Sequence, residues 1–153
     1  MRYSFYDTCS LLEHGESVFC NSEKFYISNI TLKELEQIKT SAFKDVDIKY
    51  KTRKLIHLLA ENRDCYKVIN FKNSWNEQIK NSSILMDNDD SKIIFTAFIL
   101  DEKLSLNGDS ILFITGDLCC EQIASSLNLE TQYLIDKELP YNGYIYVDYN
   151  NDD

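Results

Sequence analysis

Proline and glycine are scarce in this 153-residue chain, with one Pro (Pro140) and four Gly, which excludes collagen-like and low-complexity architectures. Histidine is rarer than cysteine: His14 and His57 stand alone, and no cysteine pair has CxxC spacing. A zinc ribbon, a zinc finger and a histidine-rich metal site are therefore not expected. The five cysteines (Cys9, Cys20, Cys65, Cys119 and Cys120) are odd in number and scattered, so buried, reduced thiols are expected rather than a disulfide framework. No apolar run approaches the roughly 20 residues that span a bilayer. The opening RYSFYD reads as a strand and has no signal-peptide pattern, so a cytoplasmic protein without membrane contact is expected. The chain also lacks a G-x-x-x-x-G-K-[ST] loop, which excludes a P-loop ATPase within it. Positive charge is short as well: 16 Lys and Arg face 25 Asp and Glu, a net charge of −9. That balance argues against nucleic-acid binding through bulk charge alone.

What the chain does have is a hydrophobic fraction of 44% and an aromatic fraction of 12%, the make-up of a folded globular domain. Its length suits one domain with a real core. Short apolar runs alternate with helical periodicity, which predicts α/β architecture with a mainly parallel sheet. Strands are expected at 2–6, 66–70 and 132–135, at Phe25 to Ser28, and at SILFIT (110–115), whose continuous apolar run fits a central strand buried on both faces. Helices are expected at 8–14, at 31–39 with Asn29 or Ser28 as cap and Thr31 and Glu34 in capping-box spacing, and at 47–63. Within the polar stretch 72–89, Trp75 and Ile79 anchor a short helix. Asn88 or Asp89 caps a helix carrying Ile93, Ile94, Ala97, Phe98 and Leu100, and Asp117 opens another. His57, inside LIHLLAEN, is read as structural. Residues 1–138 form the expected domain, and 139–153, from the only proline region to an acidic end, an edge strand or linker.

Four acids carry the chemistry. Asp7 and Asp117 follow apolar strands, and Glu34 and Asp90 lie in first helical turns. An open parallel sheet gathers such residues at the carboxyl ends of its strands. Carboxylates gathered there repel one another unless a divalent cation lies between them, and oxygen ligands of this kind suit Mg²⁺ or Mn²⁺. The cation would polarise a phosphoryl oxygen and stabilise a leaving alkoxide, which is phosphodiester chemistry. Taken singly each acid has a plain alternative, as a helix cap, a capping-box acid or a partner of the helix dipole. Charge is uneven too: residues 33–54 hold Lys33, Lys39, Lys44, Lys49, Lys51, Arg53 and Lys54 against four acids. That run is a solvated helix face or an RNA contact.

On YDTCSLL, ITLKELEQIK, the D-x-x-I-I of Asp90 to Ile94, and FITGD as a T-x-D element, the sequence resembles the PIN-domain ribonucleases over most of residues 3–135. The pattern Glu34-Leu35…Lys39 and the tail LPYNGY look most like PIN modules that precede PhoH-like ATPase domains. The resemblance implies a three-layer α/β/α sandwich and Mg²⁺- or Mn²⁺-dependent endoribonuclease activity on single-stranded RNA. It makes Asp7, Glu34, Asp90 and Asp117 the metal ligands and Thr8 and Thr115 the hydroxyls that orient them. Asp89 and Asp87 are substitutes or supplements for Asp90, and Gly116 leaves room for close backbone approach. Lys33, Lys39, Lys92 and Arg53 are candidate RNA contacts. Expected partners are RNA, a second copy of the chain, an antitoxin, or a fused or associated ATPase domain. The rival readings are the toxin of a toxin–antitoxin pair, a catalytically silent PIN-fold binding or assembly module, and a phosphate-accepting receiver domain. The last is disfavoured because Asp7 is followed by Thr8, not a second acid.

Overall fold

The computed structural model describes residues 1–20, 23–42 and 44–134. Five strands, β1 (Arg2–Tyr6), β2 (Phe25–Ser28), β3 (Tyr66–Ile69), β4 (Ser110–Thr115) and β5 (Glu130–Tyr133), form one sheet in the order β3-β2-β1-β4-β5. Every neighbouring pair is parallel. Alternation along the strands sends side chains to two cores. Phe5, Ile111 and Phe113 point into one, and Tyr6, Phe25, Ile27 and Ile114 into the other. The first core is closed by α4 (Asn76–Lys80), α5 (Asp89–Ser105) and α6 (Leu118–Ser126), through Ile79, Ile93, Ile94, Ala97 and Ala124. The second is closed by α1 (Thr8–His14) and α3 (Val46–Glu61), through Leu11, Leu55 and Leu59. The helix α2 (Asn29–Thr40) gives Ile30 to the first core and Leu35 to the second. This is the three-layer α/β/α sandwich. Each fully buried large side chain contributes about 1.5–3 kcal/mol by leaving water.

The strand order positions the site. From β1 the chain steps outward to β2 and β3, then returns to the other side of β1 as β4 and continues to β5. The reversal falls between β1 and β4, whose register pairs Tyr6 with Ile114. At that point the connecting helices leave in opposite directions and open a crevice beyond the strand ends.

Several boundaries differ from the sequence reading. Helix α2 starts earlier because Ser28 is its cap: the Ser28 hydroxyl accepts from the Ile30 amide at 3.0 Å. Thr31 is buried inside the helix, so no capping box forms there. Helix α3 runs from its Asp45 cap to Glu61, ending short of residue 63. Its buried stripe is Thr52, Leu55 and Leu59, which turns His57 out to solvent and corrects its structural reading. Strand β5 lies two residues early, because Asn128 takes a positive φ of 65° after α6 and the chain extends at once from buried Leu129. Trp75 and Ile79 are buried anchors of the 72–89 stretch, as expected. Among the described residues no helix is long and apolar enough to cross a membrane. The expected tail 139–153 lies outside the described residues.

A candidate metal centre at the switch point of the sheet

Asp7 ends β1 and caps α1. Its Oδ1 accepts from the Ser10 amide at 2.9 Å, and its Oδ2 accepts from the Thr115 hydroxyl at 2.5 Å. The buried Ser10 hydroxyl donates to the Ile114 carbonyl at 2.7 Å, tying the start of α1 to β4. Thr115, fully buried, also accepts from the Asp117 amide at 3.1 Å. One hydroxyl therefore spends its hydrogen on the first acid and a lone pair on the backbone of the last. Asp117 caps α6, its Oδ1 accepting from the Cys119 and Cys120 amides at 2.8 and 3.3 Å. Gly116 lies between them where a Cβ would stand 3.1 Å from Cys9 Sγ, so the missing side chain lets α1 close against the β4–α6 turn.

The other two acids arrive from α2 and α5. Glu34 accepts from the Thr8 hydroxyl at 2.5 Å, and Thr8 Oγ1 also lies 3.1 Å from Thr31 Oγ1. Asp90 follows the Asn88 cap of α5, where Asn88 accepts from the Ser91 amide at 2.8 Å. Carboxylate oxygens of Asp90 and Asp117 and the thiol of Cys120 lie within 4.8 Å of one another. All four acids line one cavity of about 530 Å³ together with Thr8, Cys9 and Cys120. Asp117 opens α6 and Asp90 lies in the first turn of α5, as the sequence predicts, whereas Glu34 falls beyond the first turn of α2 because that helix starts at Asn29.

The electrostatics is that of crowded like charges. Burial is the main cause that raises the Asp7 carboxyl above its ordinary pKa; the bonds from Thr115 and Ser10 oppose it, and Asp117 adds to it. Glu34 is raised by burial and then by Asp89, Asp90 and Asp7, against the Thr8 bond. Asp90 is raised by burial, Asp117, Asp7 and Asp89, against the bond from Cys120. Burial, with the acids around it, pushes the Cys9 thiol up to about 12 and the Cys120 thiol further still, so both are protonated at neutral pH. Four carboxylates on one cavity make an oxygen-rich donor set that fits a hard divalent cation such as Mg²⁺ or Mn²⁺.

The remaining candidates sit elsewhere. Asp89 pairs with Lys33 at 3.2 Å, and Lys39 with Glu36 at 3.0 Å on the face of α2. Asp87 and Arg53 are exposed, and Lys92 reaches over the Phe71 ring, 5.7 Å from its centroid. Two helical residues from Asp90, Lys92 is turned about 200° away from it. None of Lys33, Lys39, Arg53 or Lys92 lines the cavity; its cation is Lys44, and Leu12, Gln37, Ile38 and Ile48 extend its wall. Lys44 belongs to the basic run 33–54 already noted in the sequence, whereas Leu12, Gln37, Ile38 and Ile48 were not singled out there. The signal was present in α2, where Gln37 and Ile38 follow Glu34 at the spacing of one helix face.

No curated protein matches the chain. A family model does: that of the PIN domain aligns with residues 5–134, from within β1 to the end of the described sheet. A match over that much of the sequence settles the family, and the chain belongs to the PIN-domain family.

Proposed function

We propose that the chain is a divalent-metal-dependent endoribonuclease that hydrolyses phosphodiester bonds of single-stranded RNA. The observation that carries this reading is the meeting of Asp7, Glu34, Asp90 and Asp117 in one cavity at the switch point of the sheet. These four carboxylates would hold Mg²⁺ or Mn²⁺. When bound, the cation supplies Lewis-acid activation of the phosphoryl group and of water, and charge stabilisation of the leaving oxygen. The protein's own share is orientation. Thr115 and the Ser10 amide fix both oxygens of Asp7, and Thr8 fixes one oxygen of Glu34. Asp90 and Asp117 face solvent at the rim, where RNA enters. Hydrolysis leaves a 5′-phosphate on one product, as the PIN resemblance implies.

Glu34-Leu35…Lys39 supports kinship with the PIN modules that precede PhoH-like ATPase domains, although the Lys39 side chain pairs with Glu36. Cys9, Cys65, Cys119 and Cys120 are free thiols, in keeping with a cytoplasmic setting. The test is cleavage of a labelled single-stranded RNA in Mn²⁺ by the wild type beside Asp90→Asn and Asp117→Asn. Metal-dependent cleavage abolished in both variants supports the assignment. Cleavage that persists in both removes the acids from the chemistry.

A further inference from the structure

The cavity is larger than the acids need. A hydrated cation with about six waters at roughly 30 Å³ each fills about a third of its 530 Å³. What lies beyond the carboxylates is of a different character. Leu12, Ile38 and Ile48 form an apolar wall, Gln37 stands on the α2 face that carries Glu34, and Lys44 stands on the α2–α3 connection. Lys44 makes no ion pair among the described residues. A cation alone opposite a group of carboxylates suits a ligand whose two ends differ. An anionic phosphate would suit the end that carries Lys44, and a flat apolar body would lie against the aliphatic wall.

We propose that this end of the cavity seats one unpaired nucleotide of the RNA, with its base against Leu12, Ile38 and Ile48, its polar edge toward Gln37, and a flanking phosphate toward Lys44. The inference rests on the ribonuclease reading above and adds to it the residues that seat the unpaired nucleotide. A base can enter such a wall only when it is free of its partner and splayed from the stack, so duplex RNA is excluded by shape. The remaining volume falls in the range of small-ligand pockets, enough for one nucleoside and not for a stacked run. Lys44 supplies the positive charge that the net −9 chain lacks at its acidic centre.

The variants Lys44→Ala and Ile48→Asp test this without touching a carboxylate. Binding of a labelled single-stranded RNA and of its duplex is read by fluorescence anisotropy in Ca²⁺, cleavage of the same RNA by gel in Mn²⁺, and Mn²⁺ affinity by calorimetry. The wild type is expected to bind the single strand at least tenfold tighter than the duplex. Each variant should weaken binding and raise KM roughly tenfold, the scale of one base contact, with kcat and Mn²⁺ affinity unchanged. Equal binding by wild type and both variants, equal binding of duplex, or no RNA binding by the wild type overturns the nucleotide seat. Binding with the expected variant pattern but no cleavage keeps the seat and refutes the ribonuclease reading instead.

Discussion

Replacing Asp90 by Asn removes a charge without removing a shape, and the structure fixes what that does. Oxygens of Asp90 and Asp117 lie within 4.8 Å of each other. Coulomb's law at that separation gives about 1 kcal/mol of repulsion in a water-like dielectric and about 3.5 kcal/mol at the effective value for protein surfaces. Asp7 and Asp89 add to it with the same sign. Against this, the first turn of α5 gives up about 0.3–1 kcal/mol of interaction between the acid and the helix dipole. The helix keeps its Asn88 cap, and the new amide oxygen can still accept from Cys120. Metal-free Asp90→Asn is therefore expected to be more stable than the wild type by about 1–2 kcal/mol at pH 8, a rise in Tm of about 2–8 °C for a chain of this size. Mn²⁺ should reverse the order. A ligand at a hundred times its Kd adds about 2.7 kcal/mol to whichever fold binds it, and the variant binds less. Calorimetric melts of both proteins in EDTA and in Mn²⁺ measure all four values. A variant that melts below the wild type in EDTA, or an equal rise in both with Mn²⁺, would refute the reasoning.

Three further outcomes follow from the same geometry. The raised carboxyls of Asp7, Glu34 and Asp90 hold protons in the folded chain that the unfolded chain has already released. Their contribution is thus fully present below the ordinary carboxyl range and is lost as pH rises through the raised values. Urea midpoints of the metal-free protein should accordingly fall as pH rises above the ordinary carboxyl range, and saturating Mn²⁺ at pH 8 should restore them. Thr115→Val deletes a hydroxyl that serves both Asp7 and the Asp117 amide, at a cost of about 1.5–3 kcal/mol in urea unfolding, while Thr115→Ser retains most of the stability. Gly116→Ala sets a methyl against Cys9 Sγ and is expected to cost about 1 kcal/mol. Adding Cys9→Ala should return most of that loss, and a double-mutant cycle with no coupling would contradict the contact.

Much of this was legible before any coordinates, for reasons that can be named. Asp7 and Asp117 stand out because each ends an apolar strand where a buried sheet meets solvent, and a polar residue there needs a reason. The parallel sheet follows from the alternation of SILFIT-like runs with amphipathic stretches. Strand order is another matter: nothing local in β4 says that it returns beside β1, yet that return creates the crevice. Ser28, one of the two caps open to α2, was legible as such, but the Thr31–Glu34 capping box was not realised because Thr31 packs into the core. Long basic side chains were the least legible. Lys92 and Lys33 are adjacent to the acids in sequence, but helical direction and a pairing with Asp89 take them elsewhere. Lys44, ten residues from Glu34, folds back to the cavity through the turn between α2 and α3. Of the thiols expected to be buried, Cys120 is, whereas Cys9 and Cys119 keep exposed surface and Cys65 is half-buried; that the Cys120 thiol stands against Asp90 depends on α5 packing beside α6.

The most direct test of the account is the rate of single-stranded RNA cleavage as a function of Mn²⁺ concentration, for the wild type and Asp117→Asn. The account predicts a rate that is zero in EDTA and saturates with metal, and that is lost in the variant at every concentration. Cleavage by the wild type that is indifferent to EDTA, or an Asp117→Asn curve that overlays it, would contradict a metal centre built on these four carboxylates.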